Sequence, residues 1–243
     1  MSTQLSRKER KRLERAKRAS AGWEDKPAPP PKPNLKTIKP ITRNQAKCFA
    51  VWGSGRNLFI TGYAGTGKSY VGAYLALRDI EAGAPQTRLV IVRSAVQARN
   101  QGFLPGTDQE KAAVFESPYR AIVDDLYGRD GHYNRLKDTK QIEFVTTSFL
   151  RGTTIPRSIL LVDEVQNMTD EEINAVMTRP GEETRVILCG DFRQNDLDMK
   201  REHSCMGRLL DTVSKMPSFE IVDMQPQDIV RSGLVKEWIL ARG

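Results

Sequence analysis

Residues 57–69 read NLFITGYAGTGKS, and this stretch decides the fold. Its first part, NLFITG (57–62), is apolar enough for a strand that is buried on both faces of a parallel sheet. Its second part, GYAGTGKS (62–69), has the spacing G-x-x-x-x-G-K-[ST] of a phosphate-binding loop that joins such a strand to a helix. A glycine-rich turn that binds nothing is the alternative, but the agreement between the pattern and its flanks favours nucleotide binding.

The chemistry of this loop assigns roles to its residues. Glycines let backbone N–H groups turn toward phosphates, and the helix that follows directs the positive end of its dipole at the same place. Lys68 is expected to reach the β- and γ-phosphates, and the Ser69 hydroxyl is expected to hold Mg²⁺. The predicted nucleotide contacts of the loop are Gly62, Tyr63, Ala64, Gly65, Thr66, Gly67, Lys68 and Ser69.

The rest of the chain alternates strand-like and helix-like segments. Further strands are predicted at 88–93, 141–147, 158–164, 185–191 and 219–224, and helices at 69–83, 109–128, 169–179 and 207–216. Thr169 is expected to cap the third of these helices, with Glu172 three residues on. This alternation predicts an α/β fold with a mostly parallel, doubly wound sheet.

A second motif, ILLVDEVQN (159–167), is an apolar strand that ends in two carboxylates. The carboxyl edge of an open α/β sheet is where ligands bind, and buried charges there are costly unless they are used. Asp163 is expected to bind Mg²⁺, and Glu164 to orient and deprotonate an attacking water. This pair of carboxylates favours a hydrolase over a P-loop kinase. The structural alternative is that the two carboxylates only cap the helix that follows.

Two glutamines and an aspartate complete the predicted site. In CGDFRQND (189–196), Asp191 and Gln194 follow a strand end and could reach the γ-phosphate, although a polar turn would have the same composition. Gln45 lies seventeen residues before Gly62. Because its amide can pair with the donor and the acceptor of an adenine edge, Gln45 is expected to select ATP.

Charge is concentrated at the N-terminus of the 243-residue chain. Residues 1–40 carry 12 Lys/Arg and 4 Asp/Glu, which accounts for the whole net charge of +8, and six prolines lie within residues 26–40. We expect a disordered basic, proline-rich tail at 1–40, either a solvated arm or an electrostatic contact to nucleic acid. Cys48, Cys189 and Cys205 have no paired spacing, and the chain has no apolar run of membrane length. These features predict a cytoplasmic protein without a disulfide framework, a zinc site or a membrane span.

Taken together, the motifs resemble one family. They are GYAGTGKS, VRSAVQARNQGFLPG, FLRGTTI, LLVDEVQN, CGDFRQNDL and QDIVRSGLVKEWI. The set resembles the PhoH family of phosphate-starvation-inducible-type P-loop ATPases, which are related to superfamily 1 helicases, and it covers roughly residues 41–243. The resemblance implies a RecA-like ATPase domain, ATP hydrolysis, a link to RNA metabolism and ring-shaped oligomers. The basic tail stands where some relatives have a nuclease domain, so nuclease activity is not expected.

The length of the chain bears on the oligomeric state. Superfamily 1 helicases place ATP between two RecA-like domains, the second of which supplies an arginine, whereas only 175 residues follow Lys68 here. Fast hydrolysis would then require an arginine from another subunit, and a hexameric ring is the expected assembly. Arg231 is the first candidate and Arg151 the second; a surface or ion-pairing arginine is the alternative for both.

Nucleic-acid binding and turnover remain open at this level. Arg93 and Phe103 stand where related motors contact a strand, with phosphate binding and base stacking as their expected roles, or they fix the loop between sheet and helix. One hypothesis is an ATP-driven motor or remodeller of single-stranded RNA or DNA. The other is a nucleotide-dependent binding switch that docks a protein or RNA partner with little turnover.

Overall fold

A computed structural model describes residues 34–94, 108–150, 152, 154–191 and 205–242. Within them a six-stranded sheet is formed by β1 (Asn57–Gly62), β2 (Arg88–Arg93), β3 (Ile142–Thr146), β4 (Ser158–Val162), β5 (Arg185–Cys189) and β6 (Phe219–Met224). The strand order is β3-β2-β4-β5-β1-β6, and every pairing is parallel. The predicted parallel α/β sheet is confirmed, and with the loop after β1 it is a RecA-like P-loop fold.

The described helices are α1 (Arg43–Gly53), α2 (Lys68–Glu81), α3 (Asp108–Tyr127), α4 (His132–Asp138), α5 (Asp170–Met177), α6 (Cys205–Ser214) and α7 (Gly233–Arg242). Four of them match the predicted helices, and α5 begins with the expected capping box of Thr169 and Glu172. The sequence did not predict α1, α4 or α7. Strand β4 stops two residues earlier than predicted because Glu164 leaves the extended conformation, with φ of 54°.

The core consists of two layers on opposite faces of the sheet. Along β1, Leu58 and Ile60 point toward α1–α4, whereas Phe59 points toward α5 and α6. This alternation is the period of a β-strand, and both faces are covered, so the strands are apolar throughout. The two helix layers therefore leave the carboxyl ends of the strands as the open edge for a site.

The structured body begins earlier than the sequence predicted. The predicted tail extends to residue 40, yet Leu35 and Ile38 pack against the core and the Lys36 amide donates to the Leu126 carbonyl at 2.9 Å. The rest of the predicted tail, residues 1–33, lies outside the described residues. None of the helices in the part that the structure describes is long and apolar enough to cross a membrane.

Candidate nucleotide site

One cavity of about 440 Å³ lies at the carboxyl edge of the sheet. Parallel strands end at the same edge, so the loops after β1, β2, β4 and β5 converge on it. Its lining is formed by Ala64, Gly65, Gly67, Lys68, Ser69, Tyr70, Arg93, Pro118, Tyr119, Ile122, Asp163, Glu164, Gly190, Asp191 and Arg231. The residues predicted from three separate motifs thus line a single cavity.

The predicted phosphate-binding loop divides into a lining part and a supporting part. Ala64, Gly65, Gly67, Lys68 and Ser69 line the cavity. Gly62, Tyr63 and Thr66 are not among the lining residues. The Tyr63 amide donates to the Met224 carbonyl at 3.1 Å, and the fully buried Thr66 hydroxyl donates to the Tyr63 carbonyl at 2.8 Å. These three residues fix the shape of the loop.

Lys68 and Ser69 occupy the start of the fourteen-residue helix α2, where the N-terminal amides and the helix dipole favour an anion. The Lys68 ammonium donates to the carbonyls of Gly62 and Tyr63, both at 2.8 Å. An ammonium has three donors, so one remains for a phosphate while the other two keep the lysine over its loop.

Gly62 must be a glycine for two independent reasons. Its φ is +105°, and a Cβ would lie 2.1 Å from the Met224 carbonyl oxygen on β6. We expect Gly62→Ala to lower the free energy of unfolding by about 2–5 kcal/mol, because left-handed strain and overpacking add. Urea unfolding followed by circular dichroism would measure this loss.

Gly83→Ala is the matched control for that variant. Gly83 also has a positive φ, +79°, but a Cβ there would meet nothing within 4 Å. We expect this substitution to cost only the backbone strain, about 1–2 kcal/mol. Equal losses for the two variants would show that the contact with β6 does not constrain the loop.

Gln45 supports the loop from α1. Its side chain is buried, its Nε2 donates to the Thr66 carbonyl at 3.2 Å, and its Oε1 accepts from the Ile41 amide at 3.0 Å. Both ends of the amide are therefore used within the protein. Each end keeps one further N–H or lone pair that adenine could use, but Gln45 is not among the residues that line the cavity.

Asp163 follows β4, and both its backbone and its side chain are hydrogen-bonded. Its backbone amide donates to the Val92 carbonyl at 2.9 Å, and its Oδ2 accepts from the Tyr119 hydroxyl at 2.7 Å. Burial is the main cause that raises the pKa of Tyr119 well above its usual value, and the Asp163 charge adds to it. Tyr119 is thus a neutral donor that leaves Oδ1 of the carboxylate for another ligand.

Glu164 adopts the left-handed conformation, which is uncommon for a residue with a side chain and costs of order 1–3 kcal/mol. Its Oε2 accepts from Gln166 Nε2 at 2.5 Å, and Gln166 Oε1 in turn accepts from the Asp191 amide at 3.0 Å. Burial, with the charge of Asp163, raises the pKa of Glu164, and Arg93 and Lys68 offset only part of that. A raised pKa suits a carboxylate that accepts a proton from water.

Arg93 lines this cavity, and its expected contact with nucleic acid stays a prediction. Its guanidinium lies 5.5 Å from the centroid of the Phe115 ring, and its charge acts on Glu164. The reason is register: Val92 pairs with Val162 on the neighbouring strand, so the residues after each strand meet. Arg93 is therefore part of the candidate nucleotide site.

Arg231 also lines the cavity of its own chain. Its expected action on another subunit stays a prediction, and this position makes action within its own chain the competing one. Its Cγ lies 2.8 Å from the position of a Cβ on Gly65, and the neighbouring Val230 amide donates to the Gly65 carbonyl at 3.1 Å. The cause is again register, because Gly62 pairs with Met224 and the chain after β6 emerges beside the loop.

Some predicted residues lie outside the described part of the chain, and some contributors were missed. Gln194, Arg151 and Phe103 belong to the first group. Tyr119 and Gln166 belong to the second. Gln166 could have been suspected from its place two residues after Glu164, whereas Tyr119 is 44 residues from Asp163 and carries no sequence signal.

The donor set fits a nucleotide with Mg²⁺. Within the described ranges, no group of three or more His, Cys, Asp or Glu side chains could hold a metal alone. Magnesium in nucleotide sites takes one or two protein ligands, with phosphates and water for the rest. Ser69 and Asp163, which both line the cavity, fit that requirement and would hold the ion.

Comparison with known proteins places the chain among relatives of the same kind. The PhoH-like protein of Mycobacterium bovis is 32% identical over 206 residues, which cover 83% of this chain and 57% of that protein. Protein PhoH of Escherichia coli is 30% identical over 213 residues, with coverage of 83% and 57%. The PhoH-like protein of Bacillus subtilis is 30% identical, with coverage of 85% and 64%. The chain thus spans less than two thirds of the length of these relatives.

Solved structures with a similar fold are more distant. The large terminase of a thermophilic bacteriophage matches with a TM-score of 0.49 and 10% identity, over 84% of this chain and 50% of that one. The SWI2/SNF2 ATPase core of Sulfolobus solfataricus, in complex with dsDNA, matches with a TM-score of 0.45 and 14% identity, over 82% and 48%. The family model described as PhoH-like protein matches residues 37–242 of the 243-residue chain. By this match and by the identity with its relatives, the chain belongs to the PhoH-like family.

Proposed function

We propose that this protein is a Mg²⁺-dependent ATPase that works as a ring of single RecA-like domains and acts on single-stranded RNA or DNA. The observation that carries the proposal is the meeting of Lys68, Ser69, Asp163 and Glu164 around one cavity. Phosphate-binding groups on a cavity wall without water-activating groups would support binding alone. Their combination supports hydrolysis.

Each of these residues would have its own role in phosphoryl transfer. The amides at the start of α2 and Lys68 would bind the phosphates, and Ser69 and Asp163 would hold Mg²⁺, which neutralises phosphate charge when bound. Glu164 would take a proton from a water whose oxygen attacks the γ-phosphorus, while the bond to the ADP oxygen breaks. Arg93 and Arg231 would add positive charge from the same chain, and Asp191, with Gln194, would respond to the γ-phosphate.

A nucleotide-dependent binding switch is the second candidate, and one feature favours it. Helix α7 contacts the loop through Ile239, whose Cδ1 lies 3.1 Å from the position of a Cβ on Gly65. The same helix exposes Leu234 (79%) and Trp238 (65%). An apolar surface attached to the phosphate-binding loop could change with the bound nucleotide and dock a partner.

We expect single-stranded RNA or DNA to raise steady-state ATP hydrolysis several-fold at low salt, with the effect lost as salt screens the phosphate contacts. The measurement is phosphate release at fixed protein concentration, with and without each nucleic acid. Lys68→Ala serves as the control for contaminating ATPases. Slow hydrolysis that no nucleic acid changes would remove the motor hypothesis and leave the binding switch.

A further inference from the structure

One face of helix α3 carries two aromatic side chains that contact residues of the candidate nucleotide site. Phe115 and Tyr119 are four residues apart and therefore neighbours on the helix surface. The Phe115 ring lies under the Arg93 guanidinium at 5.5 Å, and the Tyr119 hydroxyl donates to Asp163 Oδ2 at 2.7 Å. Neither aromatic residue belongs to the motifs that carry the phosphate chemistry.

The position of Tyr119 is itself fixed. Its side chain is 2% exposed, and its ring packs on Phe144 of the edge strand β3 with centroids 5.8 Å apart. The hydroxyl therefore has little freedom. The backbone of Asp163 is fixed by its bond to Val92, but that bond leaves the carboxylate free to rotate, so its orientation depends on a side-chain partner.

We propose that Tyr119 is a positioning residue that sets the orientation of the Asp163 carboxylate for Mg²⁺. This inference rests on the proposed function. By occupying Oδ2 with a neutral donor, the phenol would fix the carboxylate plane and leave Oδ1 available to Mg²⁺, and it would not cancel the charge of the carboxylate. Partners of this kind orient metal ligands, and their loss commonly weakens metal affinity about 10–100-fold.

The test is Tyr119→Phe, which keeps the ring on Phe144 and removes only the hydroxyl. We expect about tenfold weaker Mn²⁺ binding, measured by electron paramagnetic resonance in the presence of a non-hydrolysable ATP analogue. Binding of the same analogue without metal should be unchanged, because Asp163 then has no metal to hold. Steady-state ATPase should require a correspondingly higher Mg²⁺ concentration for half-maximal rate.

Tyr133→Phe is the matched control. Tyr133 is also fully buried, and its hydroxyl donates to a buried carboxylate, Glu116 Oε1, at 2.8 Å. Tyr133 lies outside the cavity lining, so removal of its hydroxyl should lower the free energy of unfolding without changing the Mn²⁺ affinity. A merely structural Tyr119 would behave in the same way as Tyr133.

The outcomes separate this inference from the proposed function. Unchanged Mn²⁺ affinity in Tyr119→Phe, with normal affinity in the wild type, overturns the positioning role and leaves the ATPase proposal intact. Wild-type protein that binds neither the analogue nor Mn²⁺ overturns both. A weakened metal site in Tyr119→Phe but not in Tyr133→Phe supports the role of the hydroxyl.

Discussion

Glu164→Gln is expected to bind ATP and to lose at least about a hundredfold of its turnover. A positioned general base contributes about 10²–10⁴-fold, and an amide cannot accept the proton of the attacking water. The substitution is otherwise mild, because the amide oxygen can still accept the bond that Gln166 now donates to Glu164 Oε2 at 2.5 Å. The measurement pairs single-turnover hydrolysis with the affinity for a fluorescent ATP analogue.

A control with the same chemistry exists elsewhere in the chain. Glu183 has φ of 55°, almost the 54° of Glu164, but its side chain is exposed and forms a surface ion pair with Arg157. Glu183→Gln therefore makes the same change in the same backbone conformation away from the cavity, and its turnover should match the wild type. If Glu164→Gln kept a rate close to that of the wild type, Glu164 would not be the base.

The sheet was predictable because burial on both faces leaves a simple signal. All six strands are short apolar runs, and their bounds lie within two residues of the predicted ones. Helix α1 (Arg43–Gly53) does carry a helical signal that the prediction missed, since it buries Gln45, Cys48 and Trp52 on one face behind the N-cap Thr42. Helix α4 (His132–Asp138) has only seven residues, too few for a repeated pattern, and α7 (Gly233–Arg242) exposes much of its apolar surface.

The candidate site could be predicted from the sequence only where a single motif contains both a strand-to-helix loop and the residues expected to act on the phosphates. Lys68, Ser69, Asp163 and Glu164 each follow a strand within a recognisable pattern, and they line one cavity. Contacts between motifs depend on strand order, which the sequence does not reveal. The placement of Arg93 beside Glu164 follows from the pairing of β2 with β4, and that of Arg231 beside Gly65 from the pairing of β6 with β1.

The position of Arg231 predicts that it acts on the nucleotide of its own subunit and not on that of a neighbour. An arginine that stabilises transferred phosphate charge is worth about a thousandfold or more in turnover, so Arg231→Ala should be nearly inactive. Arg129→Ala, at an exposed loop position outside the cavity lining, should retain the wild-type rate. A mixture of two inactive variants distinguishes a contribution of Arg231 within its own chain from a contribution between subunits.

In a ring, Lys68→Ala subunits would have an inactive site of their own but would still carry Arg231. If that arginine acted on the neighbouring subunit, a 1:1 mixture with Arg231→Ala subunits would restore about a quarter of the wild-type rate, since half the sites are competent and half of those have the required neighbour. Arg231 instead lies against its own Gly65, with its Cγ 2.8 Å from the position of a Cβ there. We therefore expect the mixture to stay as inactive as its components. Recovered activity would mean that Arg231 leaves its own loop when subunits assemble, and the ring would then be required for catalysis itself.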